Sequence, residues 1–219
     1  MIKNETIRTK KNIWPFVTCQ FLSTFNEEIL RMFVSLFLLG SSHKKYACKV
    51  SSISHIAYSL PLFLLSGTAG VIADQFDRAR TFLLAKRFAL LSTLLTALSF
   101  YLDNPILSLL SLSVFFSHVA ILIPAKYSLI PEIVPVIHIA RVNSFFSIIG
   151  IVAGLIGQPL AAFLIQVTNK SFFSCSLICC LTALLEVLLS LKLQSATRDS
   201  IKMANISLSP LKNILRVFK

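Results

Sequence analysis

Gln20, Thr24, Glu27, Arg31 and Ser35 stand three or four residues apart in the first apolar stretch of the chain. At 100° per residue this spacing gathers them into one stripe of a helix, with Glu28 flanking it. The opposite side is Phe, Leu, Ile and Val. An ionised side chain at membrane depth costs about 2.5 to 3.5 kcal/mol on insertion scales, so three of them need a reason. Two readings supply one: Glu27 and Arg31, at i and i+4, neutralise each other within the helix, or the stripe is the wall of a polar interior. Either way the chemistry is binding rather than bond making. The chain shows no nucleophile with its base, no acyltransferase-type His and Asp spacing and no nucleotide-binding glycine loop, so no catalytic residue is assigned.

A second group is Gly70-Val71-Ile72-Ala73-Asp74-Gln75-Phe76-Asp77-Arg78-Ala79-Arg80. It reads as a tight turn between two apolar stretches. Gly67 and Gly70 bare a helix surface for close approach, Asp74 can accept from a helix amino terminus, and Arg78 and Arg80 belong at headgroup level. Asn143 to Ala162 carries Gly150, Gly154, Gly157 and Pro159, a small-residue face suited to close helix packing, with Pro159 able to bend it. Cys175, Cys179 and Cys180 have helical spacing but no neighbouring His or carboxylate before Glu186, so they read as buried thiols and no metal site is expected. His55 and His118 read as cavity or packing residues, and His138 has no metal partner in sequence. Glu186 is either a lumen residue or a membrane-edge charge close to Lys192, and the edge is favoured.

The elements that must position these groups follow from hydropathy. Hydrophobic residues are 55% and charged residues 14% of 219, and the mean hydropathy is +0.78. An ordinary water-facing surface cannot be assembled from that composition. Six apolar stretches, at about 14–39, 50–72, 82–102, 106–123, 142–167 and 171–191, each approach the roughly 20 residues that a spanning helix needs. Period-two alternation is absent, which argues against a barrel; the expectation is an all-α bundle of six transmembrane helices. The first stretch is too long and too charged for a cleaved signal peptide. Residues 1–13 then form a basic amino terminus, 14–192 the bundle and 193–219 a basic tail whose end, Leu208 to Phe218, is weakly amphipathic.

A net charge of +12 suggests nucleic acid by sign alone, but its distribution argues against that. With the amino terminus inside, only Lys44, Lys45, Lys49 and Lys170 fall outside and Arg31 falls within a span. All other Lys and Arg, including Arg78, Arg80, Lys86, Arg87 and Lys126, count as inside. The positive-inside rule places both termini in the cytoplasm, and topology plus anionic lipid accounts for the excess. No nucleic-acid partner is expected.

The Gly-x-x-x-Asp run followed by basic residues, Gly70 to Arg80, resembles the loop signature of the major facilitator superfamily. Three segments narrow the likeness: Phe25-Asn26-Glu27-Glu28-Ile29-Leu30-Arg31-Met32, Leu60 to Gly70 with Ala73-Asp74, and Pro124-Ala125-Lys126-Tyr127-Ser128-Leu129-Ile130-Pro131-Glu132. In this order they resemble the bacterial lysophospholipid transporter family, a module also found fused to acyltransferase and acyl-carrier-protein ligase domains. The resemblance covers about residues 14–165 and implies the amino-terminal six-helix half of a transporter in a bacterial inner membrane. It implies movement of lysophospholipid, especially lysophosphatidylethanolamine, to the cytoplasmic leaflet by alternating access, with no cofactor.

On that reading Gln20, Thr24, Glu27, Glu28 and Arg31 bind substrate. Arg31 would hold the phosphate through two oxygens, and Glu27 with Glu28 would meet the ammonium. Gly70, Asp74, Asp77, Arg78 and Arg80 would act on the gate, and Lys126, Tyr127 and Glu132 are motif matches without an assigned role. Two departures stand out: Glu27-Glu28 replaces the family's Asp-Asn, and Ser147 stands where an acid is common. A second half, a separate chain or a second copy, is expected as partner, since a lone half turns its stripe to lipid. Truncation, a split gene and a half-transporter all fit. The alternatives are a carrier of another amphiphile or a drug, and a nontransporting membrane anchor for an acyltransferase.

Overall fold

A computed structural model describes residues 14–41, 47–75, 77–169 and 171–201, with the backbone alone described at 47–51, 67–75, Glu132 and 193–201. The basic amino terminus and the amphipathic Leu208 to Phe218 lie outside the described residues. Six helices follow in order: α1 Trp14–Ser41, α2 Ala47–Gln75, α3 Arg78–Tyr101, α4 Pro105–Ile133, α5 Ile139–Val167 and α6 Phe172–Ile201. A 3-10 turn, Val136–His138, joins α4 to α5. At 1.5 Å per residue even the shortest is about 36 Å long, enough for a hydrocarbon core of about 30 Å.

Among the described residues four stretches combine that length with high hydropathy: Arg78–Tyr101, Pro105–Pro131, Val136–Val167 and Phe172–Lys192. α1 is as long but carries Glu27, Glu28 and Arg31 together in its middle, and α2 contributes the shorter apolar stretch Ser52–Ser66. The protein is an all-α, multi-pass membrane protein.

Local chemistry sets the helix starts. Asp77 caps α3 by accepting from the Ala79 and Arg80 amides at 3.0 and 3.3 Å. Asn104 caps α4 by accepting from Ile106 and Leu107, with Pro105 at the first helical position where its missing N–H costs nothing. Asp103 and Asn169 take positive φ in the two short turns, a conformation that Asp and Asn tolerate. α4 runs past Ile123 through Pro124 and Pro131 to Ile133. Proline breaks helices in water, yet neighbouring helices supply the lost contacts in a membrane bundle.

The turn expected at Gly70 to Arg80 is largely helix. α2 continues through Gly70 and Asp74 to Gln75, and α3 begins at Arg78. Asp77 caps α3; the Asp74 side chain, expected to accept from a helix amino terminus, lies outside the described residues.

Paired contacts fix the directions. α1 and α5 run parallel, since Phe16 meets Phe146 and Glu28 meets Gln158 at the same offset. α3 and α6 are antiparallel, with Lys86 on Glu186 at one end and Phe100 on Phe172 at the other. α2 and α4 are parallel through Ala57 on Ser113 and Tyr58 on Phe116. The chief helix neighbours are α1 with α5 and α6, α4 with α2 and α3, and α3 with α6. Exchanging α1 with α4, α2 with α5 and α3 with α6 leaves this pattern unchanged, so the bundle is two related triplets. Repeats nested within a six-helix half produce this arrangement.

The apolar core divides in two. One cluster gathers Ile29 to Leu38, Phe100, Phe115 and Cys179; the other gathers Phe16, Cys19, Phe82, Leu129 and Phe146. Between them α1 presents Gln20, Ser23 and Asn26, α3 presents Lys86 and α6 presents Glu186, all buried. The buried hydroxyls of Ser92, Thr93, Thr96 and Ser99 bond back to carbonyls of their own helix. Small and self-satisfied, they leave α3 free to pack without unpaired polar atoms.

Candidate functional site

α1 turns two different acid–base arrangements toward its neighbours. On the side facing α5 and α2, Arg31 pairs with Glu28, one turn earlier, with side chains 24% and 19% exposed. The internal pair expected between Glu27 and Arg31 is therefore not the one that forms. Two contacts from other helices direct the choice. Gln158 of α5 donates to Glu28 Oε2 at 2.7 Å, and the Arg31 guanidinium lies 5.3 Å from the centre of the Tyr58 ring on α2, within cation–π range.

Glycine brings α5 close enough for this. A Cβ at Gly157 would stand 3.2 Å from Glu28 Cβ and 3.4 Å from the Phe25 carbonyl, so any larger residue pushes α1 away. At Gly154 the same atom would make ordinary contact with Glu28, and at Gly150 it would meet nothing within 4 Å. The expected small-residue packing is thus concentrated at Gly157, and Gly150 instead borders open space. That space is a cavity of about 660 Å³ lined by Glu28, Met32, Gly150, Leu155, Gln158 and Pro159. Further along the same α1–α5 seam lies an apolar groove of about 400 Å³, walled by Val17, Phe21, Leu22, Phe145 and Ile149.

Behind α1 lies the second arrangement. Lys86 Nζ donates to Glu186 Oε2 at 2.8 Å and to Ser23 Oγ at 2.6 Å. The pair is sealed, with side chains 1% and 3% exposed. Two expectations fail here. Lys86 belongs to no inside loop, because α3 begins at Arg78 and carries it two turns inward. Glu186 is no exposed edge charge, because its side chain is buried between helices against Lys86.

The Coulomb attraction is offset by desolvation of both ions, so such a pair adds little net stability, while loss of one partner costs about 3 to 5 kcal/mol. Asn26 lies against the Glu186 carboxylate, yet Asn26 Oδ1 and Glu186 Oε1 are buried without a hydrogen-bond partner. A buried unsatisfied acceptor costs about 1 to 3 kcal/mol.

The remaining stripe residues divide between these arrangements. Glu27 Oε1 accepts from Ser23 Oγ at 3.1 Å. Lys126 exerts its charge on Glu27 from α4 but makes no ion pair with it among the described residues; its ammonium stands 4.7 Å from the Tyr127 ring centre. Gln20 is buried and donates to Thr24 Oγ1 at 3.0 Å, so these two satisfy each other along α1. Glu132 lies on α4, its side chain outside the described residues.

At the start of α3, Arg78 Nη1 donates to the Ser128 carbonyl of α4 at 3.2 Å. Arg80 and Asp77 form an ion pair at 3.7 Å that is 65% and 44% exposed, worth under about 1 kcal/mol. His118 is buried with Nδ1 against the Phe115 carbonyl, a packing role on its own helix. His55 packs against Tyr58, and His138 lies exposed in the 3-10 turn.

Tyr58, Ser23, Gln158 and the Lys86–Glu186 pairing are the participants that sequence reading missed. Gln158 had a signal, an amide between Gly157 and Pro159 in an otherwise apolar run, and Glu186 another, a lone acid in the last apolar stretch. Among the described residues no three His, Cys, Asp or Glu side chains gather as a metal site.

No curated protein and no solved structure matches the chain. Residues 18–216 match the family model of transmembrane secretion effectors, proteins of the major facilitator type. That match spans all six helices, whose two related triplets are the repeat architecture of a major facilitator half, and the chain belongs to the major facilitator-type transmembrane secretion effector family.

Proposed function

We propose that this protein is a transporter half that moves a zwitterionic amphiphile, with lysophosphatidylethanolamine as the favoured substrate, to the cytoplasmic leaflet of a bacterial inner membrane. The observation that carries the reading is the Glu28–Arg31 pair on the α1–α5 seam. One cation and one anion lie side by side, partly exposed, next to a cavity with mostly apolar walls. A headgroup with both a phosphate and an ammonium finds a partner for each: the guanidinium takes two phosphate oxygens and Glu28 takes the ammonium. Binding replaces one ion pair with two, so the charges of the free protein do not face lipid unpaired.

The acyl chain needs only apolar surface, and the groove at Phe21, Leu22 and Phe145 continues the seam. Exposed Ile53, Ile56, Leu60 and Phe63 of α2 and Ile148, Ile151, Leu155 and Phe163 of α5 are where a second six-helix half would sit. With that half in place, rocking of one bundle against the other exposes the seam to each leaflet in turn. Both termini are cytoplasmic in this scheme, and Asp77, Arg78 and Arg80 hold the α3–α4 end that the rocking must move.

The test is uptake of labelled lysophosphatidylethanolamine into vesicles. Arg31→Ala should reduce it at least tenfold with membrane insertion intact. Unchanged uptake removes Arg31 from the mechanism, and equal competition by unrelated amphiphiles overturns the substrate assignment.

A further inference from the structure

The seam and the sealed pair leave one charged face of the bundle unused, the outer side of α3 and α6. Arg80, Leu84, Arg87, Leu91, Leu98 and Tyr101 are exposed and recur three, four or seven residues apart, a single stripe along α3. Phe173, Leu181, Leu184, Leu188 and Lys192 form an exposed stripe along α6. The rings of Tyr101 and Phe173 lie 5.4 Å apart, so the two stripes open on the same side of the helix pair. The antiparallel register set there and by Lys86 on Glu186 brings Lys192 level with Arg80 at the other end.

Along the axis Arg80 and Tyr101 are about 32 Å apart at 1.5 Å per residue, close to the hydrocarbon thickness of about 30 Å. Phe16 on Phe82 sets the exposed Trp14 within a turn of the Arg80 level, and Trp and Tyr favour the two membrane interfaces. Arg80 and Lys192 therefore stand at headgroup level, with Arg87 about 10 Å deeper among leucines. Among the described residues Arg87 has neither a hydrogen bond nor an ion pair. α3 contains no acid, Glu186 is buried on Lys86, and Asp77 pairs with Arg80 at 3.7 Å.

We propose that this face holds an anionic phospholipid, a resident lipid and not the transported one, with its phosphate between Arg87, Arg80 and Lys192. Helix side chains lean toward the amino-terminal end, so the Arg87 guanidinium reaches back toward Arg80 and the headgroups. There it takes two oxygens of the phosphodiester, and Lys192 adds a point charge from α6. Three cations face a single acid, Asp77, among the described side chains of this face, and that excess selects an anionic headgroup over a zwitterionic one. The acyl chains lie along Leu84 and Leu91 on one side and Leu184 and Leu188 on the other. The lipid thus bridges from outside the two helices that Lys86 and Glu186 join from within. Its leaflet is the one at the Arg80 end, the cytoplasmic one in the orientation proposed above. The site depends on neither the lysophospholipid reading nor the Glu28–Arg31 pair.

The experiment is native mass spectrometry of the full chain in neutral detergent, titrated with phosphatidylglycerol or with phosphatidylcholine of the same acyl chains. Wild type should retain one phosphatidylglycerol per chain at concentrations where phosphatidylcholine is not retained. Arg87→Leu, which leaves an apolar side chain facing lipid, should weaken that retention at least about fivefold. Lys192→Leu should weaken it by a similar factor, and it gives the answer if Arg87→Leu fails to insert. Arg31→Ala should retain phosphatidylglycerol as wild type does, so this result and the uptake result can fail separately. Equal retention of the two lipids by wild type overturns the proposal. So does an Arg87→Leu, Lys192→Leu double variant that holds phosphatidylglycerol as tightly as wild type, since the lipid then binds elsewhere. Loss of retention in Arg31→Ala also overturns it, by moving the anion to the seam.

Discussion

Glu28–Arg31 and Lys86–Glu186 are both acid–base pairs within a membrane bundle, and they differ in how they are reached. The first is local to α1, one turn apart, and stands partly open beside a cavity. The second joins α3 to α6 and is buried, with Ser23 and Asn26 as its side-chain hydrogen-bond partners on α1. A partly open pair can exchange its partner for a ligand's charges at modest cost, because neither ion is ever stranded. A sealed pair cannot, because removing either ion leaves the other in low dielectric. Under the proposed function the open pair serves recognition and the sealed pair positions helices, and exposure distinguishes the two.

The largest expected effect comes from breaking the sealed pair on one side. Lys86→Met should destabilise the bundle by about 3 to 5 kcal/mol. The Lys86→Met, Glu186→Met double variant should recover most of that loss, because no ion is left unpaired; denaturant unfolding in lipid or detergent reads both. A double variant as unstable as the single would mean that the charges, and not their pairing, hold the three helices.

The seam gives the next effect. Gly157→Val puts a side chain against Glu28 Cβ and the Phe25 carbonyl and should cost about 1 to 3 kcal/mol by overpacking. Gly150→Ala meets open space and should be neutral or stabilising by up to about 1 kcal/mol. Equal costs at the two positions would contradict the close approach at Gly157.

Smaller still are the effects at the end of the bundle. Asp77→Ala removes an amino-terminal cap and should cost about 1 kcal/mol. Arg80→Ala removes only an exposed pair and should cost less. The same unfolding measurement separates them, and a larger cost for Arg80 would place that arginine in contacts beyond the cap.

The contrast between the pairs also explains what could be read from the sequence. The six helices were visible because each contains an apolar run, and the polar stripe of α1 was visible because its members are three or four residues apart. Which carboxylate Arg31 takes was not legible: Glu27 and Glu28 are both within reach, and Gln158 and Tyr58, on other helices, decide between them. Lys86 and Glu186 lie on separate helices, and each falls close enough to an apparent span end to pass for an edge charge. Only their burial against each other across α3 and α6 shows both to be inside. The glycine run announced close packing, but which glycine touches α1 depends on the parallel register of α1 and α5.

The measurement that tests this account most directly is the shift in unfolding free energy that short-chain lysophosphatidylethanolamine produces in three proteins side by side. At a hundredfold excess over its dissociation constant, a ligand that binds only the folded state stabilises it by about 2.7 kcal/mol. Wild type and the Lys86→Met, Glu186→Met double variant should each show a shift of that size, and Arg31→Ala should show none. A shift that survives Arg31→Ala but vanishes in the double variant would move recognition from the open pair to the sealed one and contradict it.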